Sequence, residues 1–237
     1  MKIIYILQQQ AILIASAIRG ILVRKLDPAS NHYKTIETPN PVSRKFGMDR
    51  GTPIDRYYID KFISQNKKFI KGMCLEIGDR RYTKKFGEHV QKSDVLDIVS
   101  RNKIANIIGD LRNVKQIQDN TYDCIILTQV MGMIDDCDAA ISECHRILKP
   151  KGVILITSSS ISPQIDYDFS FWRFTIKSLE YLLLKKFNKK NVKVTGFGNA
   201  YIGQCLWVGL TQEEIKKEYL DIFDKQFQCI IGAVAYK

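Results

Sequence analysis

The chain has 237 residues, 45% hydrophobic and 26% charged, enough to build one globular domain with a sizeable core and with no sign of a second. Its net charge of +11 is spread among acidic residues in short pairs such as Lys67-Lys68 and Lys185-Lys186, so nucleic acid is not an expected partner. Its six cysteines, Cys74, Cys124, Cys137, Cys144, Cys205 and Cys229, form no C-x-x-C pair, so zinc spacing is absent and no metal is expected; they read as buried thiols of a reducing cytoplasm.

Residues 3–26 are apolar but interrupted by Gln8-Gln9-Gln10 and Arg19, and the longest clean run is Ala11 to Ile18. A spanning helix needs about 20 predominantly apolar residues, so none is expected here. Ala15-Ser16-Ala17 resembles a signal-peptide cleavage site, yet the cysteine usage argues against export. An amphipathic helix ending in Arg19, Arg24 and Lys25 is expected instead. It would dock on the domain, on a partner chain or peripherally on an anionic membrane. Residues 27–53 are rich in Pro, Asn, Ser and Thr and read as a linker, which divides the chain into a 1–53 N-terminal region and a 54–237 domain.

Ile54, Tyr57, Tyr58, Phe62 and Phe69 recur at helical spacing and predict a helix over 54–70. Apolar strand-like segments follow at 73–78, 93–97, 107–111, 122–129 and 152–157, each ending in small or polar residues. In an open parallel sheet the ligand crevice lies outside the carboxyl ends of the strands, so such residues in series describe one nucleotide-type site. The connection between the first two strands has room for a short helix. The next is too short for a full crossover, so the sheet is expected to be trimmed there. Helices are predicted over 138–148, stopped by Lys149-Pro150-Lys151-Gly152, and over 176–187. A strand over 192–197 and a final one over 229–236 complete the pattern.

Leu75-Glu76-Ile77-Gly78, Gly109-Asp110-Leu111, Tyr122 to Leu127, and above all Arg146 to Gly152 running into Val153-Ile154-Leu155-Ile156, resemble the core of a class I S-adenosylmethionine-dependent methyltransferase of the type 11 branch. The resemblance implies an α/β, Rossmann-like methyltransferase sheet, mostly parallel with an antiparallel C-terminal strand, in three layers. It also implies S-adenosylmethionine as cofactor. The flanks Pro41 to Gly47, Gly51 to Tyr58 and Phe171 to Thr175 are similar to a bacterial subgroup associated with glycan synthesis, implying a small-molecule or glycan acceptor and a place in surface polysaccharide assembly.

Each site residue has a functional and a structural reading. Gly78 permits close backbone approach, although Arg80, Arg81 and Tyr82 stand where the family's loop has further glycines. Glu76 either orders the cofactor's methionine end or is a strand carboxylate held by backbone amides, since burying it unpaired is costly. Asp97 sits where a ribose diol would be received, with Asp94 as a surface charge or an alternative acceptor. By resemblance Asp110 receives the adenine amino group and Leu111 touches the ring; otherwise Asp110 caps the next turn. Thr128 and Gln129 face the same crevice, toward the cofactor's tail or the acceptor. After the fifth strand, Tyr167, Trp172 and Arg173 are expected to bind the acceptor, with Asp166 or Asp168 taking its proton; Trp172 alternatively plugs the domain. His145 lies inside a helix and reads as structural. The alternative to an enzyme is a non-catalytic methyltransferase-fold scaffold in a glycan-assembly complex, motivated by the missing loop glycines and the trimmed crossover. A dinucleotide-dependent dehydrogenase is disfavoured, because Gly-x-Gly-x-x-Gly is absent.

Overall fold

The computed structural model describes residues 39–164 and 169–237. The apolar segment 1–26 and the residues Asp166, Tyr167 and Asp168 lie outside the described residues.

Seven strands form one sheet: β1 (Gly72–Ile77), β2 (Val90–Asp97), β3 (Ile107–Ile108), β4 (Tyr122–Thr128), β5 (Leu148–Ser159), β6 (Val192–Phe197) and β7 (Ile230–Tyr236), in the order β3-β2-β1-β4-β5-β7-β6. The first five pair in parallel, while β7 runs antiparallel to both β5 and β6. Among the described residues the α-helices are α1 (Ile54–Gln65), α2 (Arg81–Phe86), α3 (Cys137–Ile147), α4 (Ile176–Leu184) and α5 (Ala200–Val208). The mostly parallel α/β sheet with an antiparallel C-terminal strand that the family resemblance implies is therefore present.

Both faces of the central strands are apolar because both are covered. On one face Leu75, Ile125, Leu127, Ile154 and Ile156 pack with Ala140, Ile141 and Cys144 of α3 and Leu179 and Leu183 of α4. On the other, Cys74, Cys124, Ile126 and Leu155 pack with Ile59, Phe62 and Ile63 of α1 and Ile202 and Leu206 of α5. These two cores make the three layers. Phe62 approaches β7 so closely that a Cβ at Gly232 would stand 2.5 Å from its ring, so glycine is required there. All six cysteines are free and buried.

Some boundaries differ from the sequence reading. The first helix ends at Gln65 and continues as a 3-10 turn at Lys67–Phe69. β3 shrinks to two residues, and the connection before it holds no helix, as its length implied. α5 was not anticipated, because its apolar residues show no one-sided period; its N-cap Asn199, which accepts from the Ile202 amide, and its left-handed C-cap Gly209 were the legible signals. The segment 41–53, expected as linker, is anchored to the domain. The amides of Val42 and Ser43 donate to the Val208 carbonyl at 2.8 and 3.1 Å, and Pro53 bridges Thr211. The compact unit accordingly begins at Pro41, because these backbone groups find partners in the turn after α5. Among the described residues no helix is long and apolar enough to cross a membrane.

Candidate functional site

The chain leaves β1 toward β2 on one side and returns to β4 on the other, so the topological switch point lies between β1 and β4. A ligand crevice is expected outside their carboxyl ends. There Gly78 follows β1 with φ +80°, and a Cβ built on it meets nothing within 4 Å. The left-handed backbone accounts for glycine, and the open space before it is a cradle for a ligand's close approach.

The loop behind this cradle is held by Glu76. Its side chain is 1% exposed, and it accepts from the Tyr82 amide at 2.9 Å, the Thr83 amide at 2.9 Å and the Thr83 hydroxyl at 2.8 Å. Burial pushes its pKa up while these three bonds pull it back. Of the two roles considered for Glu76, its contacts match the strand carboxylate held by backbone amides. It satisfies the N-terminal amides of α2, where Arg80, Arg81 and Tyr82 replace the loop glycines.

At the end of β2, Asp97 accepts from the Val99 amide at 2.8 Å and from Asn102 Nδ2 at 2.6 Å, and the same Nδ2 donates to the Gly78 carbonyl at 2.6 Å. Asn102 thus ties the β2 end to the cradle. Asp94 is not a surface charge: it is 3% exposed and accepts from Asn106 Nδ2 at 2.7 Å, Tyr122 Oη at 3.0 Å and Lys92 Nζ at 3.0 Å. It sits mid-strand opposite Leu75, so it braces β2 against β4 and leaves Asp97 as the carboxylate at the strand end.

The Gly109 amide donates to the Asp97 carbonyl at 2.9 Å, which sets Asp110 next to Asp97 along the crevice. Both Asp110 oxygens receive Arg112, from Nε at 3.0 and 2.9 Å, and Oδ2 also receives Nη2 at 2.5 Å. The guanidinium beside it holds the Asp110 carboxyl below the usual carboxylate range. Arg112 also pairs with Asp135 beyond β4. This fork was not anticipated, although Asp-x-Arg spacing was its visible signal. Leu111 is 6% exposed and belongs to the core with Leu96 and Val114, so it offers a ring ligand little surface.

Gln129 follows β4 in a left-handed conformation, φ +60°. Its amide donates to the Thr157 carbonyl at 2.8 Å, its Oε1 accepts from Ser159 Oγ at 2.8 Å, and its Nε2 is buried without a partner. It borders a cavity of about 140 Å³ over the β4 and β5 ends, lined also by Asp55, Arg56, Ser159, Trp172 and Arg173. Asp55 and Arg56 come from the first turn of α1 and were missed from sequence, where Asp-Arg after a proline reads simply as a helix start.

Trp172 and Arg173 reach this cavity differently from expectation. Trp172 is half-exposed, and its Nε1 donates to the carbonyls of Ile134 and Asp135 at 2.9 and 3.1 Å. Arg173 donates to the carbonyls of Ser162, Trp172 and Pro163 at 3.2, 2.9 and 3.1 Å, so its guanidinium braces the cavity's rim. His145 packs edge-on against Phe187 at 5.0 Å, away from the crevice.

Residues 80–156 match the family model described as Methyltransferase domain. The match runs from the end of the Gly78 loop into β5, and so contains Asp97, Asp110 and Gln129. The ubiquinone/menaquinone biosynthesis C-methyltransferase UbiE of Pasteurella multocida is 30% identical over 141 residues, 51% of this chain and 52% of that protein. The chain spans about half, or less, of the length of the curated relatives it matches. Among solved structures, phosphoethanolamine N-methyltransferase 2 of Haemonchus contortus in complex with S-adenosyl-L-methionine aligns with TM-score 0.52 and 16% identity, over 75% of this chain and 52% of that one. The [4+2]-cyclase SpnF aligns with TM-score 0.52 and 11% identity, over 79% and 84%. The fold is thus the Rossmann-like methyltransferase fold. A cyclase shares it, so the chemistry must be argued from the site.

Proposed function

We propose that this protein is an S-adenosylmethionine-dependent methyltransferase of class I, acting on a small-molecule acceptor. The observation that carries this reading is the open cradle at Gly78, beside the switch point and tied through Asn102 to the Asp97 carboxylate at the β2 end. The methyltransferase domain match over 80–156 supports it.

Bound S-adenosylmethionine supplies an electrophilic methyl group on a sulfonium centre. In this reading Gly78 admits its backbone-side approach, Asp97 receives the ribose hydroxyls and Asp110 receives the adenine amino group beside Leu111. A carboxylate oxygen has two lone pairs, so the single contacts to Val99 and Asn102 leave the Asp97 oxygens capacity to accept further, whereas each Asp110 oxygen already accepts two bonds from Arg112, whose guanidinium must yield before Asp110 takes the adenine. Glu76 acts indirectly, by holding the α2 amides that shape the cradle. Gln129 marks the passage to the acceptor side, bounded by Trp172 and Arg173, and Tyr167 would bind the acceptor. Asp166 or Asp168 would take the acceptor's proton. Catalysis then comes mainly from positioning two reactants.

A glycan acceptor and a role in surface polysaccharide synthesis are the finer form of this proposal, supported by the flank motifs 41–47, 51–58 and 171–175 alone. A cytoplasmic location is supported by the cysteine usage alone, and peripheral membrane or partner contact through residues 1–26 by their composition alone.

One structural feature favours the scaffold alternative: the Asp110 carboxylate is already occupied by Arg112. Calorimetric titration with S-adenosylmethionine and S-adenosylhomocysteine decides between them. The enzyme reading expects binding in the micromolar to millimolar range, and no heat with either compound would leave the scaffold.

A further inference from the structure

Among the described residues, Asp55 Oδ1 and Gln129 Nε2 are buried polar atoms without a hydrogen-bond partner, and both residues line the cavity over the β4 and β5 ends. A buried polar atom left unsatisfied costs about 1–3 kcal/mol, so two in one cavity need an explanation. Asp55 adds negative charge to the first turn of α1 and draws on the backbone amides of that turn, yet its Oδ1 is left without a hydrogen-bond partner. Gln129 is held in a left-handed conformation that only a few per cent of non-glycine residues adopt, with its Oε1 fixed by Ser159 so that the Nε2 is left free.

The two atoms are complementary in what they lack. An ionised carboxylate only accepts, and an amide nitrogen only donates. Burial pushes the Asp55 carboxyl up, while the Arg56 charge, the backbone amides of Arg56 and of Asp55 itself, and the Arg81 charge pull it back only in part. The remaining walls are mixed: Phe46, Met48 and Trp172 are apolar, and Ser159 adds a hydroxyl. Water can occupy such a place in the free protein, and a ligand that reproduces both bonds displaces it at little cost.

We infer that Asp55 and Gln129 form the two-point polar clamp for the methyl acceptor, and that this acceptor is a hydroxyl-bearing compound, a sugar or an amino alcohol, offering an O–H or N–H donor to Asp55 and an oxygen to Gln129. The inference rests on the methyltransferase reading, because it places the acceptor beside the cradle at Gly78. Asp55 and Gln129 come from α1 and the β4 end, so the clamp closes only when α1 is packed on the sheet.

The test uses the full chain loaded with S-adenosylhomocysteine and two probes, methyl α-glucoside and ethanolamine, followed by ligand-observed NMR and calorimetry. At least one probe should bind, its identity separating sugar from amino-alcohol recognition. Asp55→Asn and Gln129→Met should each weaken it by about tenfold, the loss expected for one hydrogen bond. Both variants should keep their affinity for S-adenosylhomocysteine within a few-fold and stay folded, Asp55→Asn with a thermal midpoint close to the parent's because it keeps the side chain's size, and Gln129→Met with a small loss because Ser159 Oγ loses its acceptor. Binding of neither probe, or binding unchanged in both variants, overturns the clamp while leaving the methyltransferase reading intact. Failure of the parent to bind S-adenosylhomocysteine would instead overturn that reading and the clamp with it.

Discussion

Glu76 Oε2 accepts both the backbone amide and the hydroxyl of Thr83, at 2.9 and 2.8 Å, in a setting where the carboxylate is almost wholly buried. One strand residue therefore fixes the start of α2, and with it the loop that bears Gly78. Glu76→Ala should cost about 1–3 kcal/mol, because the amides of Tyr82 and Thr83 would lose their partner in a buried place. Denaturant unfolding measures this, and S-adenosylhomocysteine affinity should fall in parallel. A stability loss with unchanged affinity would separate the loop from the cofactor site.

Gly78→Ala should give the opposite division. Its left-handed φ costs an alanine about 1–2 kcal/mol, yet no atom lies within 4 Å of the new methyl group, so the protein should fold. The methyl group fills the cradle, and affinity for S-adenosylhomocysteine should drop at least tenfold in calorimetry. Undiminished binding would move the ligand away from the β1 end.

Asp94 and Asp110 should separate stability from binding. Asp94→Ala strips partners from Tyr122 and Asn106 in the interior and should cost about 1–3 kcal/mol. Asp110→Ala removes a part-exposed pair with Arg112, worth about 0–1 kcal/mol, and should weaken cofactor binding more than Asp94→Ala does. The reverse ranking in affinity would remove Asp110 from the site.

Acid should act through Asp94. Burial pushes its carboxyl up, but the bonds from Asn106, Lys92 and Tyr122 outweigh this and hold it below the ordinary range. A depressed carboxyl stabilises the fold above its unfolded value, about 3.9, and loses that contribution as pH falls through the folded value. Thermal midpoints recorded from pH 6 downward should therefore fall less steeply in Asp94→Asn than in the parent. Parallel curves would show that Asp94 titrates alike in the folded and unfolded states.

Arg173→Ala should release the rim of the acceptor cavity, since three backbone carbonyls lose their donor. Limited proteolysis should then cut within 162–173 faster, while S-adenosylhomocysteine affinity stays within a few-fold. Trp172→Ala, which frees only two carbonyls of the neighbouring turn, should show a smaller increase.

Read alone, the chain already specified its layers. Continuous apolar runs such as Cys124 to Leu127 require cover on both faces, Lys149-Pro150-Lys151-Gly152 stops a helix and launches a strand, and polar residues at successive strand ends point to one crevice. These are local signals, carried by side-chain period and backbone chemistry. What a polar group does depends on partners that arrive from elsewhere, and only the tertiary structure decided that. Asp94 and Asp97 look alike in sequence, but Asn106 and Tyr122 enclose the first while the second closes the strand end with Asn102. Asp110 carries Arg112, which reaches on to Asp135. Asp55 and Gln129 lie on separate elements and have no common pattern, yet packing α1 against the sheet sets both around one cavity. Periodicity reports which face of an element is buried, whereas hydrogen bonds between distant residues determine which buried groups remain free to bind.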